Sequence, residues 1–291
     1  MKFYTVINNG VEAVMAQPSG QEKIFPLAAF GIKENYSMND LIRNYECIQS
    51  CFSNEPALDG INLDSVELLA PIPHPSHDVL CLGLNYAKHM EEAVKFHQEA
   101  FEREATYPVY FSKRVNEALR PGGKIKSFPN IMDSLDYETE VAVILSKDAF
   151  EVEKDKAFDY VFGYTIVNDV SARNLQTRHK QWYLGKSLDT FTPMGPCIVT
   201  KDEFTEPPVM NIKTYINGEL RQDGSTSLLL FDIAHVISEV SQGMTLEAGT
   251  IIAMGTPAGV GMGFKPPKFL KTGDVVRSEV EGIGILENTV D

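Results

Sequence analysis

The sequence predicts a mainly β protein with some α-helix, arranged as a mixed β-sandwich roll that follows a small α+β domain. Short apolar runs bounded by turn residues recur along most of the 291 residues, a pattern typical of strands. Only two helical stretches interrupt the later runs, without a regular βαβ rhythm, which argues against a doubly wound parallel sheet. The length is sufficient for one large domain, or for a large and a small one.

The N-terminal segment is predicted to form the small domain. Residues 4–14 have the pattern of a hairpin around the turn Asn8-Asn9-Gly10, and a helix is predicted near residues 38–52. The proline-rich stretch 71–75 is stiff and cannot be helical, so it marks a boundary. The predicted domains are residues 1–66 and residues 71–291.

The second domain is predicted to consist mostly of strands. Helices are expected after His89 and over residues 231–244, and Asn217-Gly218 is expected to turn between two strands. The strand-like runs are residues 79–82, 109–111, 141–145, 161–167, 197–199, 251–254 and the tail 275–290.

The composition argues against several partners. The net charge of −14 disfavours nucleic acid and anionic membranes, which bind basic surfaces. No apolar run approaches the ~20 residues of a membrane-spanning helix, and the first residues have the pattern of a strand rather than of a signal peptide. The four cysteines include no C-x-x-C pair, so we expect reduced thiols in a cytoplasmic protein.

Three carboxylates are the candidate metal ligands. Glu138 and Glu140 open the apolar run 141–145, and strand side chains two residues apart project to the same face. Neighbouring carboxylates at a buried strand entrance require a compensating cation. Asp169 ends a second apolar strand and could supply a third ligand, a set that favours Mg²⁺ or Mn²⁺ over Zn²⁺. The alternative is a solvated strand edge with ordinary surface acids.

Two further groups are candidates for chemistry. On a helix, Glu92 could orient His89 one turn away so that the imidazole takes a proton from water; the alternative is a charged helix surface. Arg173, Gln176 and Lys186 follow Asp169 closely. Cations and an amide beside three carboxylates indicate a site for a metal-bound anionic substrate, and the alternative is a structural salt-bridge network.

The glycine-rich segment 255–263 does not fit a nucleotide site. A dinucleotide fingerprint needs a helix that starts at the glycines, whereas Pro266-Pro267 follows here within a few residues. We expect a tight active-site turn instead. The sequence also has no P-loop motif and no G-x-S-x-G motif, which argues against a serine hydrolase.

Taken together, six motifs resemble those of the fumarylacetoacetate hydrolase family, from about Pro71 to the C-terminus. The likeness is strongest to its shorter prokaryotic members and to the acylpyruvase/oxaloacetate decarboxylase branch. The motifs, in order, are Gly83-Leu84-Asn85-Tyr86, Asp136-Tyr137-Glu138-Thr139-Glu140, Asn168-Asp169-Val170-Ser171-Ala172-Arg173, Leu184-Gly185-Lys186-Ser187, Asn217-Gly218-Glu219-Leu220-Arg221-Gln222 and Gly255-Thr256-Pro257.

The resemblance implies a β-sandwich roll, a homodimer and a small anionic 2-oxo acid as substrate. It also implies Mg²⁺ or Mn²⁺ as the metal. The implied roles are metal binding by Glu138, Glu140 and Asp169, catalysis by His89, Glu92 and Lys186, and substrate binding by Arg173, Gln176 and Thr256, with Lys186 also in the pocket.

Two departures from the family pattern affect these expectations. The founding hydrolase adds a fourth acidic ligand where this chain has Asn85, so water is expected to complete the coordination. The polar insert 91–106 is long, and we expect residues 89–106 to form a mobile lid over bound ligand.

The function implied by the resemblance is metal-dependent hydrolysis of a C–C bond in a 2,4-dioxo acid of the acylpyruvate or fumarylpyruvate type, which releases pyruvate. In this reaction His89 would activate water while Lys186 and Thr256 stabilise the developing oxyanion. The alternatives are decarboxylation of oxaloacetate at the same site and hydration or isomerisation of a 2-oxo-alkenoate. A metal-bound protein that binds without turnover is a further alternative, against which the intact ligands, dyad and lysine argue.

Overall fold

Three β-sheets and six α-helices make up the described residues, 1–101 and 106–291, of this computed structural model. The strands are β1 (Lys2–Asn8), β2 (Val11–Gln17), β3 (Phe25–Pro26), β4 (Glu67–Leu68), β5 (Val79–Gly83), β6 (Val109–Lys113), β7 (Lys124–Ile125), β8 (Leu135–Asp136), β9 (Thr139–Leu145), β10 (Val161–Asn168), β11 (Ser171–Ala172), β12 (Met194–Thr200), β13 (Asn211–Ile216), β14 (Glu219–Ser225), β15 (Ile251–Ala253), β16 (Val275–Val280) and β17 (Gly284–Val290). The α-helices are α1 (Met38–Ile48), α2 (Ala87–Phe96), α3 (Gln98–Phe101), α4 (Arg173–Arg178), α5 (Tyr183–Lys186) and α6 (Ile233–Ser241). The 3₁₀ turns span Leu27–Phe30, Gln49–Ser53, Leu63–Ser65, Lys154–Tyr160, Lys201–Glu203, Thr226–Leu228 and Gly261–Gly263.

The largest sheet carries ten strands in the order β3-β2-β1-β12-β10-β9-β15-β5-β6, with β4 paired to β1. A five-stranded sheet has the order β14-β13-β16-β17-β7, and β8 pairs with β11. Most pairs are antiparallel, but β15–β5 and β17–β7 are parallel. The predicted mainly β fold with mixed sheets is therefore confirmed.

Strand β9 lies near the middle of the large sheet and separates two hydrophobic cores. Val141, Val143 and Leu145 belong to one core, whereas Ala142 and Ile144 belong to the other. The first core also takes side chains from β13, β16, β17 and α6, and the second takes them from α1. Because both faces are covered, β9 is a continuous apolar run rather than an alternating one.

The predicted N-terminal hairpin is present as β1 and β2. Asn9 and Gly10 both have positive φ, at 52° and 78°, as the tight turns that suit the twist of a hairpin require. Strand β1 also pairs with β12 at Lys2 and Phe3, so the hairpin extends the large sheet. The division into domains 1–66 and 71–291 stays a prediction.

The predicted helices near residues 38–52, after His89 and over 231–244 are present with different ends, and the short helices α4 and α5 occur in addition to them. Helix α1 begins at a capping box formed by Ser37 and Asp40, and a 3₁₀ turn continues it to Ser53. Helix α6 begins at Ile233 rather than at residue 231, because the Asp232 side chain caps its N-terminus and accepts from His235 N, and it ends at Ser241. Within the described residues, no helix is long and apolar enough to span a bilayer.

The two-faced burial of β9 gives a first testable prediction. Ile144→Ala should lower the free energy of unfolding by ~2–5 kcal/mol, because it opens a cavity at a fully buried position. Ile285→Ala, at a strand position that is 44% exposed, is the matched control and should change stability by less than ~0.5 kcal/mol. Urea unfolding measures both, and equal losses would contradict the assignment of Ile144 to a core.

Candidate active site

Three carboxylates converge where β9 begins and β10 ends. Glu140 belongs to β9, Glu138 precedes it, and Asp169 follows β10 directly. The antiparallel register pairs Asn168 with Thr139, and Asp169 N donates to Glu138 O at 2.8 Å. One oxygen from each of the three carboxylates lies within 4.8 Å of the others, and all three residues are buried. The structure thus brings together the three predicted metal ligands.

Three buried cations surround these carboxylates. Lys186 Nζ lies 2.8 Å from Glu138 Oε2 and 2.6 Å from Asp169 Oδ2. Arg173 Nη2 lies 2.6 Å from Glu138 Oε1, an ion pair outside hydrogen-bond geometry. Lys113 Nζ forms an ion pair with Asp169 Oδ1. These contacts include the structural salt-bridge network that the sequence left open as an alternative.

Asp136 anchors Arg173 and the glycine-rich turn. Its Oδ2 accepts from Arg173 Nε at 2.9 Å, and its two oxygens also accept from Gly261 N and Met262 N at 2.6 and 3.0 Å. The Arg173 guanidinium is thereby fixed beside Glu138. Counting Asp136, four buried carboxylates face three buried cations within the described residues, so one negative charge is in excess.

The carboxylates differ in electrostatic environment. Burial alone would raise the pKa of Glu138, but Lys186 and Arg173 hold that pKa well below its usual range. The pKa of Glu140 is raised well above its usual range by burial and then by Asp169 and Glu138. Burial opposes the charge of Lys186, yet Asp169 and Glu138 raise its pKa. The charge of Glu140 is therefore less well compensated than that of Glu138.

This donor set fits a divalent cation that prefers oxygen ligands. The ligand atoms are carboxylate oxygens at mutual distances that one ion can bridge, and their repulsion at Glu140 is the kind that a cation relieves. Asn85 does not join them, because its Nδ2 donates to Phe231 O and Met254 O and its Oδ1 accepts from Phe231 N.

The His89–Glu92 pair lies beside the carboxylates. His89 is on the first turn of α2 and buried, with Nδ1 at 3.8 Å from Glu92 Oε2 and Nε2 at 3.9 Å from Glu138 Oε1. Both Glu92 oxygens accept from Gly259 N, at 3.1 and 3.0 Å. His89 Nδ1 has no hydrogen-bond partner in the described part of the chain. A shift of under ~1 Å would bring it into hydrogen-bond range of Glu92.

The cavity at this centre is small, about 10 Å³, which is room for about one water molecule. The predicted substrate-binding residues Arg173, Gln176 and Thr256 all line it. Thr256 Oγ1 donates to Thr139 O at 2.9 Å and accepts from Gln222 Nε2 at 2.7 Å. Its hydroxyl proton is therefore committed to the fold, which removes it as a donor to an oxyanion in this arrangement.

The glycine-rich segment forms a tight turn against the site. Gly255 has φ of 92° and donates from its backbone N to Glu140 Oε2 at 2.8 Å. A Cβ at Gly255 would lie 2.9 Å from the Cβ of Asn85, so glycine permits the close approach. The segment thus holds the carboxylate of a candidate metal ligand through a backbone donor.

Sequence reasoning missed the contribution of Lys113 and of Gln222. Lys113 ends β6, which is three strands away from β9 in the sheet, and no local motif marks it. Its signal was a lone lysine after the apolar run 109–111. Gln222 had the stronger sequence signal, since it closes one of the six motifs. In the structure its side-chain oxygen accepts from Thr139 N at 3.2 Å.

The predicted lid is described only in part. Helices α2 and α3 cover the cavity, and Phe101 lines it while contacting Trp182 at a ring distance of 5.7 Å. Residues 102–105 of the predicted lid 89–106 lie outside the described residues. Closure of the lid on ligand stays a prediction.

Comparison with known proteins gives the family. A family model for the C-terminal region of fumarylacetoacetate (FAA) hydrolase matches residues 78–291. The chain belongs to the fumarylacetoacetate hydrolase family. Members of this family are enzymes and several relatives of this chain are named as such, so the resemblance and the expectation of an enzyme are both confirmed.

Three proteins illustrate what this chain is similar to. Oxaloacetate tautomerase YisK of Bacillus subtilis (strain 168) is 48% identical over 229 residues, which cover 79% of this chain and 74% of the relative. The structure of a fumarylacetoacetate hydrolase from the psychrophile Exiguobacterium antarcticum is 38% identical, with a TM-score of 0.83 over 100% of this chain and 99% of that one. A 5-carboxymethyl-2-hydroxymuconate delta-isomerase from Mycobacterium smegmatis is 29% identical, with a TM-score of 0.76 over 100% and 98%.

The repulsion at Glu140 predicts opposite effects on metal binding and on stability. Glu140→Gln keeps an acceptor for Gly255 N but removes a ligand charge. Affinity for Mn²⁺ should fall by at least ~100-fold. Mutation of residues that only hydrogen-bond to metal ligands already lowers metal affinity by ~10–100-fold, and loss of a ligand charge should lower it further. The metal-free variant should melt at a higher temperature, because a buried carboxylate repelled by Glu138 and Asp169 is gone.

Paramagnetic resonance titration with Mn²⁺ and melting in a chelator measure the two quantities. Glu22→Gln, at an exposed position, is the matched control. Unchanged Mn²⁺ affinity in Glu140→Gln would contradict the predicted ligand set.

Proposed function

We propose that this enzyme acts with a divalent cation on a short 2-oxo dicarboxylic acid, and that interconversion of the keto and enol forms of oxaloacetate is its reaction. The observation that carries the proposal is the position of His89 between Glu92 and Glu138. A relative that is 48% identical is named as an oxaloacetate tautomerase, which supports the same reaction here.

The charge around the cavity suits an anionic substrate once a cation is bound. Glu138, Glu140 and Asp169 would hold Mg²⁺ or Mn²⁺, which supplies positive charge for the carboxylate and keto oxygens of a 2-oxo acid. That ion would turn the one excess negative charge of the cluster into one excess positive charge. Lys186 and Arg173 line the same cavity and add fixed positive charge where the substrate carboxylate would lie.

His89 is placed to move the proton. Its Nε2 faces the carboxylates and its Nδ1 faces Glu92, so a proton taken from carbon 3 at Nε2 leaves an imidazolium that Glu92 stabilises. Returning that proton to the keto oxygen completes the keto-to-enol conversion. Gly259 N holds Glu92 in place through both carboxylate oxygens.

Hydrolysis of a 2,4-dioxo acid with release of pyruvate is the second candidate. The same His89–Glu92 pair could activate water, and the relative from Exiguobacterium antarcticum is named as a fumarylacetoacetate hydrolase. Decarboxylation of oxaloacetate would use the same cavity without an attacking water. A homodimer, a cytoplasmic location and a choice between Mg²⁺ and Mn²⁺ stay predictions of the sequence.

The proton-transfer role predicts a large effect at His89. His89→Ala should slow oxaloacetate tautomerisation by ~10²–10⁴-fold, the usual contribution of a general acid–base group. The decay of the ultraviolet absorbance of the enol, recorded with Mg²⁺ or Mn²⁺, measures the rate. His77→Ala is the matched control, because His77 forms an exposed pair with Glu247 at 3.1 Å. An equal rate for wild type and His89→Ala would contradict the role.

A substrate panel separates the candidate reactions. Oxaloacetate, acylpyruvates and fumarylpyruvate should be tested for tautomerisation and for pyruvate release, with wild type, His89→Ala, Glu92→Ala and Glu138→Ala. The dyad variants should lose acylpyruvate cleavage more than decarboxylation, which needs no base to activate water, whereas Glu138→Ala should lose every activity. Pyruvate release from an acylpyruvate at a higher kcat/KM than oxaloacetate tautomerisation would favour the second candidate.

A further inference from the structure

A second cleft, of about 450 Å³, lies next to the active-site cavity. We call it the outer cleft. Its lining residues are His97, Glu99, Ala100, Thr177, Arg178, His179, Lys180 and Trp182. No predicted site residue lines it, although it is formed by a segment that follows Glu92 and a segment that precedes Lys186, two predicted catalytic residues.

Trp182 separates the outer cleft from the cavity. Its side chain lines both spaces, and its ring contacts Phe101 at 5.7 Å and Phe111 at 5.3 Å between centroids. A Cβ on Gly83 would lie 2.2 Å from this ring, so the indole packs directly on the backbone there. Helix α4 continues the partition, since Arg173 and Gln176 line the cavity and Arg178 lines the cleft.

The outer cleft is basic although the chain is strongly acidic. Arg178, His179 and Lys180 are consecutive and exposed, and Glu99 is the acidic residue among the lining side chains. Within the described part of the chain, Arg178 and Lys180 form no ion pair. Two cations that have no ion-pair partner among residues 1–101 and 106–291, beside the candidate active-site cavity of a chain with net charge −14, need a reason other than solubility.

We propose that the outer cleft is an entry site that collects the dianionic substrate before it passes Trp182 into the cavity. The proposal rests on the proposed function, because it assigns a dicarboxylate to the same active site. The net charge of −14 repels a dianion twice as strongly as a monoanion. In the proposed role, the cations of the outer cleft counteract that repulsion where the substrate enters. The cleft therefore selects dicarboxylic over monocarboxylic 2-oxo acids.

The test compares two double variants that remove the same charge. Arg178→Gln/Lys180→Gln changes the outer cleft, and Lys23→Gln/Lys33→Gln changes two exposed lysines of the N-terminal segment. At low ionic strength, kcat/KM for oxaloacetate should fall ~5–10-fold in the cleft variant and less than ~2-fold in the control, since charged clefts raise substrate capture by ~10-fold or more.

The dependence of kcat/KM on salt and on substrate charge gives two further readouts. Neither would change if Arg178 and Lys180 had only a structural role. Wild-type kcat/KM should fall as salt is raised, because charges more than ~8–10 Å apart are screened near 0.15 M, and the cleft variant should show a flatter dependence. Its loss should be smaller for a monocarboxylic 2-oxo acid than for oxaloacetate. Glu99→Gln should act in the opposite direction and raise kcat/KM.

Fluorescence makes the test independent of turnover. Trp182 is the single tryptophan of the sequence, so its emission reports on anions that enter from the cleft. In the presence of Mg²⁺, malonate should perturb that emission with a half-saturating concentration ~5–10-fold higher in the cleft variant than in the control variant. Equal values in the two variants overturn the entry site, even if oxaloacetate is turned over. If unequal values are found without turnover of any 2-oxo acid, the entry site holds and the proposed function fails.

Discussion

The convergence of Glu138, Glu140 and Asp169 at one buried point is the constraint on which the rest of this structure depends. Three carboxylates out of water repel one another, and each loses hydration that only opposite charge can replace. The fold supplies that charge from three separate elements, with Lys113 from β6, Arg173 from α4 and Lys186 from α5. With Asp136 counted, four buried carboxylates share these three cations, so one negative charge is left uncompensated. Burial and the neighbouring Asp169 and Glu138 raise the pKa of Glu140.

This arrangement requires a rigid support, which β9 and β10 provide. The two strands are buried along their length and paired over seven residue pairs, with a register shift between Val161 and Gly163. Because both faces of β9 are packed, a movement of Glu140 would disturb two cores at once. Backbone groups complete the support, since Gly255 N holds Glu140, while Gly261 N and Met262 N hold the Asp136 carboxylate that fixes Arg173. The site is thus held by packing and by main-chain donors in addition to the buried ion pairs of its side chains.

Much of this could be predicted from the sequence, because it is local. The apolar run after Glu140 and the run before Asp169 each indicate a buried strand, and the two-residue spacing of the glutamates places them together. The hairpin at Asn9-Gly10 is similarly local, since only residues tolerant of positive φ fit that turn.

The remainder depends on which strands become neighbours. Lys113 reaches Asp169 only because β6 is brought to this end of the sheet through β5 and β15. Nothing within a few residues of Lys113 contains that information. Thr256 shows a second limit of prediction from the sequence. Its place in a motif indicates that it lines the site, but the direction of its hydroxyl proton depends on Thr139 O and Gln222 Nε2, which are distant in sequence.

The candidate reactions share their first requirement and differ in their later proton transfers. Tautomerisation, decarboxylation and hydrolytic cleavage all place negative charge on the 2-oxo fragment. A divalent cation held by the three carboxylates would stabilise that charge, and in the proposed reaction Lys186 and Arg173 would add to that stabilisation. The reactions differ in whether His89 passes a proton along the substrate, delivers one after bond cleavage, or takes one from water. Since all three can use the same buried cluster, that cluster alone does not select among them. Selection must therefore come from the rest of the cavity wall, which includes Trp182, Phe101 and His89 on the first turn of α2.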